Sequence, residues 1–320
     1  MLEEIEKLKK IELHVHLDGS VSLDLASKLT NLPILKIKDK MVAKDKCLDL
    51  GEYLLMFDLP NSFMQTKENL KLIATDLVNR LEQENVIYAE IRFAPVLHTK
   101  KGLTQEEVVR AVLEGLKENK KVKTNLILSL MRGFSRQDNL KTIEVAYLYL
   151  GKGVVAIDLA GDEKKYKLKE YKELFLFAKK KKIPFTIHAG EVDYKDLKDA
   201  INLGVKRIGH GVKCVDKKGL KDLILRKNIL LEICPTSNIQ TNAFPSLKEH
   251  PVYLLYKENF NISINTDNRT VSNTTLNQEY LKLMKTFPFT KEDFLKMNLN
   301  SVNYTFLTPL KKIELLEKLK

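Results

Sequence analysis

The stretch Lys10-Ile11-Glu12-Leu13-His14-Val15-His16-Leu17 is the first of eight short β-branched or apolar segments, and their recurrence sets the architecture. The others are Val86 to Ala94, Thr124 to Met131, Val154 to Leu159, Phe185 to His188, Arg207 to His210, Ile229 to Cys234 and Ile262 to Thr266. Helical patterns separate most of them. Thr104-Gln105-Glu106-Glu107 matches a capping box opening Val108 to Leu113, and Lys169 to Lys182 carries an apolar stripe ending in lysines. Strands of nearly continuous hydrophobicity, alternating with helices, belong to a parallel sheet covered by helices. Eight of them predict an α/β fold, a closed (β/α)8 TIM-type barrel. An open doubly wound sheet is the alternative, but its G-x-G-x-x-G fingerprint is missing, since Asp18-Gly19-Ser20 carries one glycine.

About 70 residues part the first two segments, against about 20 to 40 elsewhere. That insert holds Leu50, Tyr53, Leu54 and Phe57 at the spacing of one helical face. Such a stripe is either core packing or a helical lid over the barrel mouth. With no Pro/Gly-rich linker or internal repeat, residues 1–320 read as a single domain.

Composition narrows the function. The chain of 320 residues is 44% hydrophobic, an ordinary globular fraction that excludes disordered and collagen-like classes. Its three cysteines, Cys47, Cys214 and Cys234, are dispersed, which excludes a disulfide framework and a cysteine-rich zinc knuckle. A charged first decapeptide and the lack of a long apolar run lead us to expect a cytoplasmic protein without a membrane partner. The net charge of +12 is spread over lysine-rich helix faces, so no nucleic-acid partner is expected. Nothing in the pattern specifies an oligomeric state.

Four of the six histidines stand at or near the C-terminal ends of candidate strands, the face where barrel enzymes place their chemistry. His14 and His16, two apart on a strand, point to one side and suit a divalent metal. His188-Ala189-Gly190-Glu191 ends the fifth strand, Gly209-His210-Gly211 the sixth, and Asn265-Thr266-Asp267-Asn268 the eighth. Three histidines, or two and a carboxylate, would hold one metal and lower the pKa of a bound water toward about 7, which points to hydrolysis. A second, lysine-bridged metal is not expected, because Asp158-Leu159-Ala160-Gly161-Asp162 contains no lysine. His98 and His250 read as loop and turn residues, and Cys234 as structural.

The series His14-Val15-His16-Leu17-Asp18-Gly19-Ser20, Gly161-Asp162-Glu163, His188 to Glu191, Gly209 to Gly211, Cys234-Pro235-Thr236-Ser237-Asn238 and Ser263 to Asp267 resembles, in order, the motifs of the adenosine deaminases. The resemblance implies a zinc-dependent barrel, with one Zn2+ per chain, that hydrolyses adenosine and 2′-deoxyadenosine to inosine and 2′-deoxyinosine plus ammonia. It implies His14, His16, His188 and Asp267 as metal ligands, with His16 also at the substrate. Glu191 would be the proton donor to purine N1, and His210 would orient and help deprotonate the attacking water. Asp18 would bind a ribose hydroxyl, Gly161 the N3 edge, and Leu50, Tyr53, Leu54 and Phe57 would form the lid. Asn268 stands where many relatives carry an aspartate that contacts N7; an amide can donate there without a solvent proton. The alternatives are a deaminase of another 6-aminopurine, such as adenine or a 5′-modified adenosine, and a metal- or RNA-binding protein without catalysis. The latter has no need of Glu191 and His210.

Overall fold

A computed structural model describes residues 2–319. All eight expected strands form: β1 Lys10–His16, β2 Val86–Phe93, β3 Lys123–Met131, β4 Val154–Ala160, β5 His188–Ala189, β6 Arg207–His210, β7 Leu230–Ile233 and β8 Asn261–Ile264. They pair in parallel and in chain order as two four-stranded sheets, β1 to β4 and β5 to β8. Two seams close the cylinder. At one, Ile157 of β4 bridges Phe185, and the Thr186 amide donates to the Ile157 carbonyl at 3.1 Å. At the other, Val15 bridges Asp267, with His16 N–H donating to Asp267 O at 2.7 Å and Asp267 N–H to His14 O at 2.9 Å.

Helices cover the outside because their apolar stripes have only the strands to bury against. One buried cluster joins Ile91, Leu128, Ile157 and Ile208 of the strands to Leu77, Val112, Ile143 and Ile224 of the helices. The capping box is present, with Glu107 N–H donating to Thr104 Oγ1 at 3.2 Å and Thr104 N–H to Glu107 Oε2 at 3.0 Å.

β1 carries a register irregularity between Glu12 and Val15. Ile11 and Leu13 pack with Tyr88, Leu230, Val302 and Leu315. His14 and His16, alternate residues of the strand, share the opposite face and both join the central cluster described below. The insert after β1 is helical: Leu23–Thr30, Ile34–Met41, Leu50–Leu54 and Asp58–Phe63, with a 3-10 turn at Leu55–Phe57, before the long helix Lys67–Gln83. No described helix is long and apolar enough to cross a membrane.

Candidate active site

The sequence-expected residues converge at the C-terminal mouth. His16, Asp18, Leu50, Tyr53, Leu54, Phe57, Gly161, His188, Glu191, His210, Asp267 and Asn268 all line one cavity. His14 lies beneath it, fully buried. His14 Nε2 is 3.2 Å and His16 Nε2 3.3 Å from Asp267 Oδ1, and His16 Nε2 is 3.2 Å from His188 Nε2. Donors around a tetrahedral zinc lie about 3.3 to 3.4 Å apart, the edge implied by bonds of about 2.0 to 2.1 Å. His14 Nε2, moreover, is buried without a hydrogen bond. The donor set therefore fits a metal ion. The donors that lie within 4.8 Å of one another are His14, His188, His210 and Asp267, a group that takes in His210 and leaves out the expected ligand His16.

The backbone bends to deliver them. His210 (φ 62°) and Asp267 (φ 59°) adopt the left-handed conformation that costs a non-glycine residue about 1–2 kcal/mol. Gly209 lacks the Cβ that would stand 3.1 Å from His14 Cε1 and 3.2 Å from His188 Cα, so this glycine makes room for two other histidines. Gly19 does the same for Asn268, whose Oδ1 would lie 2.0 Å from a Cβ there.

Sequence reading missed the groups that hold these side chains. His14 Nδ1 lies 2.8 Å from Glu232 Oε2 and His188 Nδ1 2.7 Å from Asp158 Oδ2. Both carboxylates are buried and neutralised by Arg92, whose Nη2 is 2.7 Å from Glu232 and Nη1 3.3 Å from Asp158; Arg207 Nε adds a 2.6 Å contact to Glu232. Burial raises the Glu232 carboxyl, but Arg92 and Arg207 outweigh it and hold it well below the usual range. An acid inside an apolar strand, as in Leu230-Leu231-Glu232-Ile233, was the available signal, because a buried charge requires partners. Ser237 Oγ donates to Asp267 Oδ2 at 2.6 Å. Glu163 accepts the backbone N–H groups of Gly190 (2.9 Å), Val192 (2.6 Å) and Asp193 (2.8 Å), clamping the loop that carries Glu191. His250 is at a turn, as expected, but it is buried and touches Asn238, which touches His210. His98 lies in the 3-10 turn Pro95–His98, buried.

Electrostatics separates the carboxyls. Burial, then the neighbouring Asp267 charge, pushes Glu191 well above the usual carboxyl range. Asp267 also suffers burial, yet its contacts with His14, His210 and His16 hold it well below that range. A carboxyl pushed up beside one held down is a pairing that can separate the roles of acid and anion. Burial brings Asp18 up to about 6.

The roof is apolar with one polar latch. Tyr53 Oη lies 2.7 Å from Ser272 Oγ and accepts from Asn268 Nδ2 at 3.0 Å. Leu50 and Tyr53 are buried with Ala43, Cys47 and Val271, while Leu54 and Phe57 stay partly exposed, so the stripe both packs and lines the cavity.

Residues 9–320 match the family model described as adenosine deaminase. An adenosine deaminase from Clostridium perfringens (strain SM101 / Type A) is 42% identical, over 98% of this chain and 97% of its own length. One from Clostridium botulinum (strain 657 / Type Ba4) is 43% identical, over 95% and 96% respectively. The apo structure of the N6-methyl-AMP deaminase from Arabidopsis thaliana superposes with a TM-score of 0.89 at 26% identity, covering 100% of this chain and 98% of that one. With matches of this extent, the chain belongs to the adenosine deaminase family.

Proposed function

We infer that this chain hydrolyses the 6-amino group of adenosine and 2′-deoxyadenosine, releasing ammonia and leaving inosine or 2′-deoxyinosine, with one zinc ion. The observation that carries the reading is Glu191, a buried carboxyl whose pKa burial raises, at the wall of a cavity whose floor is a histidine and aspartate cluster.

His14, His16, His188 and Asp267 would hold the zinc, which when bound activates water as a nucleophile at neutral pH. The chain's own residues do the rest. C6 of a purine is a poor electrophile, and a proton given by Glu191 to N1 draws electron density away from C6. His210 orients the oxygen that attacks C6. The C6–N bond then breaks as the amino nitrogen takes up one proton of the attacking water and leaves as ammonia, while the water's other proton returns to Glu191. Asp18 accepts a ribose hydroxyl, and the Gly161 backbone meets the N3 edge. Asn268 has two amide protons: one goes to Tyr53, and the other is free for N7. Leu50, Tyr53, Leu54 and Phe57 form the lid that excludes water.

A nucleoside is favoured over a 5′-nucleotide because Asp18 and Asp58 both line the cavity, and carboxylates repel a phosphate. The test follows ultraviolet absorbance on adding adenosine, deoxyadenosine, adenine, AMP and 5′-methylthioadenosine to zinc-loaded protein, with and without chelator. Adenosine and deoxyadenosine should convert, and chelator should abolish the conversion. No change with either nucleoside would overturn the reading.

A further inference from the structure

Behind His210 stands a chain of hydrogen bonds whose polarity is fixed at its far end by a backbone group. The Val252 N–H donates to Nδ1 of His250 at 3.1 Å. A backbone N–H can only donate, so this Nδ1 is bare and the neutral ring carries its proton on Nε2. Burial keeps that ring neutral, pushing its pKa down to about 3. His250 Nε2 lies 3.2 Å from the side-chain oxygen of Asn238, which accepts the proton. The Asn238 amide nitrogen then faces His210 Nδ1 at 3.0 Å. An amide NH2 also only donates, so His210 Nδ1 accepts.

We propose that Val252, His250 and Asn238 lock His210 as its Nε2–H tautomer, so that it faces the centre as a hydrogen-bond donor, neither a metal ligand nor a base in the resting protein. The rings of His14 and His188 are wired the opposite way. His14 Nδ1 is hydrogen-bonded to Glu232 at 2.8 Å, and a carboxylate only accepts, so this ring carries Nδ1–H and turns a bare Nε2 inward, as a ligand must; His188 Nδ1 stands 2.7 Å from Asp158 in a charge contact of the same sense. This sorting sets His210 apart from His14 and His188. His210 Nε2 is 3.8 Å from Glu191 Oε2 and 4.0 Å from Asp267 Oδ2, both beyond hydrogen-bonding reach, so its N–H is available to an attacking oxygen. Asn238 and His250 are thus positioning residues that act through His210. The catalytic consequence rests on the deaminase reading: His210 steadies the oxygen that attacks C6 by donating to it, rather than by taking its proton. The tautomer itself does not rest on that reading.

The test is a long-range 1H–15N correlation spectrum of metal-loaded protein labelled with 15N-histidine, recorded without substrate. The His210 and His250 signals are assigned from His210→Gln and His250→Gln, and those of His14 and His188 from the matching variants. We expect Nε2–H for His210 and His250, and Nδ1–H for His14 and His188. Asn238→Asp places an acceptor at His210 Nδ1 and should switch that ring to Nδ1–H. It should also lower kcat by about tenfold or more with KM little changed. An Nδ1–H signal for His210 in the unaltered protein overturns the proposal whether or not the variant folds. An adenosine assay on the same sample separates the two readings: an inactive sample with Nε2–H at His210 sinks the function alone, and an active one with Nδ1–H sinks the tautomer alone.

Discussion

The two halves of the barrel use their backbone differently. β1 to β4 run seven to nine residues each, whereas β5 to β8 run two to four. The long half supplies longer ladders, the charge pair of Arg92 and Asp158, and cavity wall at Ser129 and Met131. The short half supplies His188, Glu191, His210 and Asp267. At or past the ends of β5, β6 and β8 the chain turns at Gly190, His210 and Asp267, all at positive φ, and aims side chains at one point. Regular pairing and convergent placement compete for the same peptide groups, and each half settles that competition in its own favour. β1 is the exception, a long strand whose alternation puts two histidines on one face.

Substitutions should therefore cost rate in the short half and stability in the long half. The largest effect expected is on Glu191→Gln, with kcat down by about a thousandfold while metal content and melting temperature are kept. Near-normal kcat in the absorbance assay would remove Glu191 from the chemistry. Next comes Arg92→Met, which leaves Asp158 without a guanidinium and Glu232 with Arg207 alone, and should cost about 3–5 kcal/mol of stability. An unchanged denaturation midpoint would show that the long half is not held by this charge network.

Smaller effects probe the roof that joins the halves. Tyr53→Phe and Asn268→Ala should each raise KM by about fivefold, the worth of about one hydrogen bond, with kcat nearly unchanged. The double variant should be no worse than Asn268→Ala alone; additive losses would mean that Tyr53 does not act through Asn268. The smallest effect is silent at neutral pH. His98, after β2, is buried with its pKa pushed down by burial to about 3. Between the unfolded histidine value of about 6.5 and that folded value the unfolded chain binds the extra proton, so stability is lost as pH falls through this window. His98→Leu should remove about one proton from acid unfolding and move its midpoint to lower pH. An unaltered acid limb would refute the assignment.

The fold was legible because every strand carries its own apolar run, down to Phe185-Thr186-Ile187-His188, although β5 itself is confined to His188–Ala189. The inner ring of the site was legible because histidines and glycines cluster at strand ends. What lay outside reach were partnerships. Glu232, Asp158 and Arg92 come from three separate strands, and their pairing exists only once the barrel closes. Gly209 reads locally as space beside His210, but its missing Cβ serves His14 and His188. His250 looked like a turn residue because nothing in its neighbourhood shows that Asn238, twelve positions earlier, links it to His210.

The seam between β8 and β1 has a practical consequence. The peptide groups that zip it, His16 N–H to Asp267 O and Asp267 N–H to His14 O, belong to the residues whose side chains gather at the centre. Hydrogen exchange at these two amides thus works as a gauge of site assembly, readable by mass spectrometry with no substrate present. Metal loading should slow exchange there more than at the β4 to β5 seam, where Thr186 N–H meets Ile157 O and no residue of the cluster takes part in the bond.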